Sequence, residues 1–249
     1  MKRTKKIMSL ALALVMLLTV IVGSVSVFAQ KDEFSEFNDA GWRIKGKVFL
    51  NNSLKNEGKE EVEAGKTYYK GTIKGEVEAS DLFAGAYNKY VKDYKGHLYL
   101  GKPVENLVMF NKDEKFPTAD VTVTFPADFK IEYNAIKLQS NTSLVSKIEI
   151  EDLETENSQN EKAFKLRFYL GNWNDYKGFF AMYEKEQNKM DHKITVEIPY
   201  SVEIKDDEKT DLGTISTEGV CALYKGGNWL FNTQLVDIKM PKVEFSVNR

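Results

Sequence analysis

KAFKLRFYLGNWNDYKGFFAMYEKEQNKMDHKITVEIPYSVEI, residues 162–204, is the stretch whose reading decides the fold. Ala163 to Leu170 alternates apolar and polar side chains, the period of a half-buried strand. Asn172 to Asp175 forms a polar, aromatic turn. Phe179, Phe180 and Tyr183 then recur at helical spacing behind Asn174 or Asp175, both good capping types. Gly178 within that helix costs about 1 kcal/mol relative to Ala, so an irregular start is expected. A second strand runs to Ile204. The pattern predicts a short helix packed on the sheet that its two flanking strands join.

Towards the N-terminus, Trp42 to Leu50 alternates cleanly and reads as a strand, and so does Thr67 to Ala79. Gly71 and Gly75 interrupt the second and signal a bulge or a close backbone contact. Between them, Asn51 to Gly65 is charged and Gly-punctuated, which reads as a loop. Leu82, Phe83, Ala86, Tyr87, Tyr90, Val91 and Tyr94 fall at helical spacing behind Ser80 and Asp81, giving a helix of about three turns that ends near Gly96. Its Tyr-rich stripe suits either a groove lining or core packing on the sheet. The strand His97–Leu100 follows. Further strands are expected at 105–110, 120–125, 129–133, 144–150 and 163–170. The last are short: 220–224, 229–231, 235–238 and 243–247. Pro117, Pro126 and Pro199 are expected at strand edges or turns.

About a dozen short strands with one or two helices define the expected class: mostly β, an antiparallel β-sandwich of immunoglobulin-like or adhesin-like type. Residues 40–249 read as one domain, with division into 40–115 and 116–249 near Lys112–Thr118 as the alternative. Tyr-Lys-Gly occurs at Tyr69, Tyr94, Tyr176 and Tyr224, too irregularly for a repeat architecture, and suits strand-end turns.

The N-terminus gives the destination. Lys2, Arg3, Lys5 and Lys6 precede the apolar run Ile7–Val22, and Val27-Phe28-Ala29 places small or aliphatic residues for cleavage between Ala29 and Gln30. These are the parts of a secretory signal peptide over residues 1–29. Residues 30–39 form a polar leader. The only cysteine, Cys221, lies far from the cleavage site and reads as a small buried hydrophobe, so neither a lipid anchor nor an internal disulfide is expected. Four of the 35 basic residues fall in the signal, leaving 31 against 37 acidic residues, a net charge of −6 with His neutral. That balance argues against nucleic acid and anionic membranes as partners, and no stable membrane insertion is expected after cleavage.

Residues for catalysis are sparse. His97 and His192 stand apart from any motif-like Ser or Cys, no G-x-S-x-G occurs, and three candidate ligands are a poor basis for zinc. No catalytic residue, metal site or cofactor is assigned, and the balance is against an enzyme. Two carboxylates for glycoside chemistry leave no short motif, so hydrolysis stays open. The aromatics are more suggestive. Trp42, Trp173 and Trp229 each adjoin polar residues, and an indole beside amides suits a sugar-stacking platform, a protein-binding hot spot, or a core Trp. The candidate ligand-binding residues are Asn172, Trp173, Asn174, Tyr176 and Trp229.

VTVTFPADFKI (121–131), FKLRFYLG (164–171), NWNDYKGFF (172–180) and ITVEIPYSVEI (194–204) resemble extracellular domains of Gram-positive surface proteins. More loosely, they are similar to adhesin modules of immunoglobulin-like β-sandwich fold, over about residues 105–240. The resemblance implies exposure on, or release from, a Gram-positive cell and binding to a host or matrix ligand. It carries over no contact residues. Val243–Arg249 lacks a sortase motif and apolar tail, which favours a freely secreted or loosely held protein. The expected function is therefore a secreted or cell-surface binding protein that recognises an extracellular protein or glycan. The alternatives are a carbohydrate-binding or carbohydrate-active protein using exposed Trp residues, and a structural subunit of a cell-envelope assembly.

Overall fold

Two β-sheets, packed face to face, account for most of the chain between Asp32 and Arg249, which forms one compact unit. The computed structural model describes residues 33–35, 44–50, 53–99, 101–112, 114, 116–152, 161–171, 174–205, 208–226 and 233–249. The larger sheet has eight strands. Across it run β1 (Glu33–Ser35), β2 (Ile44–Lys47), β15 (Gln234–Asn248), β14 (Asp211–Lys225), β8 (Thr118–Pro126), β12 (Glu161–Tyr169) and β11 (Lys147–Asp152), and β7 (Met109–Phe110) also pairs with β14. All its pairings are antiparallel except that of β2 with β15. The smaller sheet has five strands. Its order is β10 (Lys137–Ser140), β13 (Lys193–Ile204), β4 (Lys66–Glu78) and β3 (Leu54–Glu63), and β9 (Phe129–Ile131) also pairs with β13. β5 (Leu98–Tyr99) and β6 (Lys102–Pro103) make a separate ribbon. Among the described residues the fold is a mostly β sandwich with two helices, as the alternation predicted.

Period-two patterning explains the packing. On β12, Phe164 and Leu166 turn inward while Lys165 and Arg167 turn out. On β13, Ile198, Tyr200, Val202 and Ile204 do the same. Phe125, Phe129, Phe164, Ile215 and Val247 are fully buried between the sheets. At the other end of the sandwich, α1 (Ala79–Asp93) and α2 (Tyr176–Glu186) form a second core with Leu223, Leu235 and Val236.

The opening stretch is strand, helix, strand as read, with one correction. β12 belongs to the larger sheet and β13 to the smaller, so α2 bridges two sheets instead of lying on one. Asp175 is its N-cap, and its side chain accepts a 2.7 Å hydrogen bond from the Gly178 amide. Gly178 thus sits in the capped first turn, and no irregular start is needed. For α1, Ser80 and Asp81 lie inside the helix; the N-cap position is Glu78, without a side-chain cap bond.

Other elements depart from expectation for local reasons. Residues 54–63, read as loop, form β3, which pairs with β4 through a two-residue turn at Ala64 (φ 50°) and Gly65 (φ 79°). Two positive φ values suit the twist of a tight hairpin. The short strands expected at 220–224, 235–238 and 243–247 are parts of the long strands β14 and β15, whose register shifts between Thr217 and Gly219 break the alternation. The strand expected at 105–110 is a 3₁₀ turn, Val104–Asn106, followed by β7. Residues 137–140, missed as a strand, form β10.

Gly71 and Gly75 mark close contacts and not bulges, since β4 keeps its register on both sides. A Cβ on Gly71 would lie 2.3 Å from the Tyr200 ring. Pro199 lies within β13, opposite Thr72, and not at a strand end. Its carbonyl accepts from the Glu132 amide, so its nitrogen also faces the gap between β9 and β10, where no ladder bond is lost. The Tyr-Lys-Gly triplets fall mid-strand (Tyr69), at helix ends (Tyr94, Tyr176) and at a strand end (Tyr224), so they share no turn. The strand expected at 229–231 lies outside the described residues.

Candidate interaction face

The sequence-derived site divides under the structure. Asn172, Trp173 and Trp229 lie outside the described residues, as do Trp42, Ala29 and Gln30. Asn174 is exposed, and its carbonyl accepts a 2.6 Å hydrogen bond from the Met109 amide. Tyr176 turns inward: it is 3% exposed, stacks on Tyr94 at 5.6 Å, and donates from its hydroxyl to the Leu235 carbonyl at 3.2 Å. Burial pushes its phenol well above the usual range. Tyr176 thus presents no ring surface to a ligand from outside.

The Tyr stripe of α1 also lies inside, though against α2 and not chiefly against the sheet. Phe83 meets Phe179 at 5.0 Å, Tyr87 meets Tyr183 at 4.7 Å, and Tyr90 stacks on Phe180 at 4.5 Å. Each hydroxyl has a partner, as buried phenols require: Tyr87 donates to Glu184, Tyr90 to Glu105 and Tyr183 to the Ser80 carbonyl. Where the two cores meet, a cavity of about 200 Å³ remains, lined by apolar groups including Ile73, Val123, Leu166, Phe179 and Tyr176.

Two polar clusters were invisible in the sequence. The first surrounds Glu186, 5% exposed at the C-terminal end of α2. Its carboxylate accepts from the hydroxyls of Thr142 and Ser143 and, at 3.0 Å, from the Ser143 amide; His192 Nδ1 lies 3.1 Å away. Burial alone would raise this carboxyl's pKa, but those donors outweigh it and hold the group at about 2. Serine, histidine and carboxylate meet here in the wrong order for nucleophilic catalysis. The carboxylate stands between Ser143 and His192, whereas a triad places the imidazole between the other two. Cys221, the other potential nucleophile, is buried, and desolvation pushes its thiol up to about 12. Among the described residues no group of three or more His, Cys, Asp or Glu could hold a metal ion.

The second cluster organises the outer face of the eight-stranded sheet. Arg167 on β12 donates through Nε to Asp120 on β8 at 3.0 Å and through Nη2 to its second oxygen at 3.3 Å. It also pairs with Glu114, and with Glu151 on β11 at 3.1 Å. The Tyr169 hydroxyl donates to Glu114 at 2.9 Å, and Lys165 reaches Glu151 at 3.3 Å. Hydrogen bonding to Asp120 locks the guanidinium in its charged form, and its donors are spent within the sheet. Arg167 therefore stiffens one flank and does not wait for an anionic ligand.

Beyond that flank the face changes. Cross-strand neighbours on β8 and β14 are Thr122 with Glu218, Thr124 with Ser216 and Asp120 with Val220, and Val220 in turn faces Lys239 on β15. Val220 is 40% exposed. The middle of the face therefore carries hydroxyls, methyls and the exposed carboxylate of Glu218, between the Arg167 network on one side and Lys239, Lys242 and Glu244 on the other. The outer face of the smaller sheet differs in kind. There Lys70 pairs with Glu61 and Glu63, Lys74 with Glu57, Lys66 with Glu203, and Lys137 with Glu197.

No protein-family model and no curated protein sequence matches the chain. Among solved structures it is similar to ACE19, the collagen-binding subdomain of the Enterococcus faecalis surface protein ACE, at 9% identity and TM-score 0.30, covering 79% of this chain and 97% of that one. It is also similar to the collagen-binding domain of a Staphylococcus aureus adhesin, at 6% identity and TM-score 0.28, with the same coverage of 79% and 97%. A third is a structure from work on pH-induced modulation of Streptococcus parasanguinis adhesion by Fap1 fimbriae, at 7% identity and TM-score 0.32, covering 90% of this chain and 92% of that one. Superpositions this loose add nothing to the strand order, register and core already described. No helix among the described residues is long and apolar enough to cross a membrane.

Proposed function

We propose that this chain is an exported, non-catalytic binding module that recognises an extracellular protein or glycan through the outer face of its eight-stranded sheet. The observation that carries the reading is the small, hydroxyl- and methyl-bearing middle of that face, where Glu218 is the exposed charge. Thr122, Thr124, Ser216 and Val220 offer hydroxyls and methyls on a rigid, fully paired stretch of sheet, and ordered charges frame them. Such a surface suits an extended ligand, whose backbone or hydroxyl groups meet the threonines while Val220 supplies apolar contact. The outer charges of the smaller sheet are largely spent on one another and offer a ligand less. The basic, apolar N-terminus supports export, and the buried thiol and the order of groups around Glu186 are consistent with binding without chemistry.

The test is a binding screen of residues 30–249 against glycans and extracellular-matrix proteins, collagen included. Val220→Arg and Thr122→Arg are expected to weaken any hit at least tenfold while leaving the melting temperature within a few degrees, as surface changes do. Hits unaffected by both substitutions would move the site elsewhere. Hydrolysis of a polysaccharide or peptide panel, abolished by one carboxylate substitution, would overturn the non-catalytic reading.

A further inference from the structure

β3 is the terminal strand of the five-stranded sheet, and among the described residues nothing pairs with its outer edge. An open edge of ten residues is a template for another strand, and proteins commonly guard such edges with charged side chains, an inward-pointing charge or a bulge. β3 has no break in its register with β4, and its inward-pointing charge, Glu60, is held by a partner in its own chain. Asn56 is fixed by a 2.8 Å hydrogen bond from the Tyr200 hydroxyl. Arg249 adds a 3.0 Å ion pair to Glu60. Its outward side chains alternate in sign over Lys55, Glu57, Lys59 and Glu61, with Glu63 following at the end of the strand.

That alternation is self-complementary. We infer that β3 is a self-pairing edge, through which two copies of the chain join their smaller sheets antiparallel about Gly58. In that register Lys55 meets Glu61 and Glu57 meets Lys59, each twice by symmetry. On the inward side Leu54 meets Val62, which is 73% exposed in the single chain. Gly58 meets Gly58 at the two-fold axis. Cross-strand pairs of opposite charge stabilise an antiparallel ladder, and like pairs destabilise it.

The neighbouring registers that keep the faces matched fail this test. One opposes Lys59 to Lys59 and Glu57 to Glu61, against a single kind of favourable pair, Lys55 with Glu63; the other opposes Glu57 to Glu57 and Lys55 to Lys59. Charge therefore selects one alignment. The smaller sheet prepares for it from behind. Glu57 already pairs with Lys74 at 2.7 Å and Glu61 with Lys70 at 3.3 Å, so in the pair each carboxylate lies between a lysine of its own sheet and one of the second copy. Lys55 forms no salt bridge among the described residues, and Glu61 of the second copy would supply one. The interface is the sheet edge and is separate from the proposed ligand face on the other sheet.

The experiment is sedimentation velocity on the chain from Gln30 onward, which contains the whole compact unit, with two charge-reversed variants. K55E/K59E makes the outward row acidic throughout, and E57K/E61K makes it basic from residue 55 to residue 61. The unaltered chain is expected to show a concentration-dependent dimer, and each variant alone is expected to raise its dissociation constant at least tenfold. A one-to-one mixture should recover the dimer, because the acidic and basic rows match in the same register. Hydrogen exchange on the unaltered chain should show protection of residues 54–62 rising with protein concentration, a readout that does not depend on the variants folding. A chain that stays monomeric at its highest soluble concentration, or folded variants whose mixture stays monomeric, would overturn the proposal.

Discussion

The two ends of the interior achieve order by different means. Between the sheets, Phe125, Phe129, Phe164, Ile215 and Val247 pack with no polar group of their own, and Tyr200 sends its hydroxyl out to Asn56. At the helix-capped end, Tyr87, Tyr90, Tyr176 and Tyr183 each anchor a hydroxyl, and Glu186 is buried among donors from Thr142 and Ser143, with His192 beside it. Apolar packing dominates at the first end. Polar anchors fix the second, where helices must be held against a sheet they do not hydrogen-bond as strands would. The contrast shows why one sandwich carries both a Phe-rich and a Tyr-rich core.

Substitutions can separate these modes. Phe125→Ala, at a site with no exposed surface, is expected to cost about 3–5 kcal/mol through lost burial and the cavity left behind, seen as a lower urea midpoint. Glu186→Gln is expected to cost about 2–3 kcal/mol at pH 7, since the amide cannot accept all the donors gathered around the carboxylate. Its acid behaviour sharpens the comparison. The carboxyl's pKa is lowered from 4.5 to about 2 in the folded chain, so its contribution is complete above about pH 4.5 and is lost as pH falls through 2. The gap between parent and variant, measured by unfolding at pH 7, 4.5 and 2, should therefore close with acid, while the Phe125→Ala gap should not. Tyr176→Phe is expected to cost least, about 0.5–1.5 kcal/mol, by leaving the Leu235 carbonyl without its donor. A larger loss there would mean that the hydroxyl does more than satisfy one acceptor.

Much of the sheet framework was legible. β4, β8, β12 and β13 carry an apolar side and a polar side, and period two exposes that directly. β3 carries its alternation in the sign of charge and not in hydropathy, so it read as a loop. β14 and β15 fragmented because a register shift moves every following side chain to the other phase. Sheet membership was beyond reach, since nothing local tells that β12 and β13 part company across α2. The polar clusters were equally hidden: Glu186 and Thr142 are 44 residues apart, and Arg167 and Asp120 are 47 apart. Tyr176 misled by its neighbours, for a tyrosine beside an Asn-Trp-Asn turn reads as exposed until the fold turns its ring inward.

The apolar cavity where the two cores meet has a mechanical consequence. Internal void is eliminated when a chain unfolds, so imperfect packing makes the unfolded form the smaller one. Compression favours the smaller state, on the order of tens of mL/mol for globular domains. Under hydrostatic load the seam beneath Phe179 and Tyr176 is where this sandwich should yield first, with the Phe-rich end holding its shape longest.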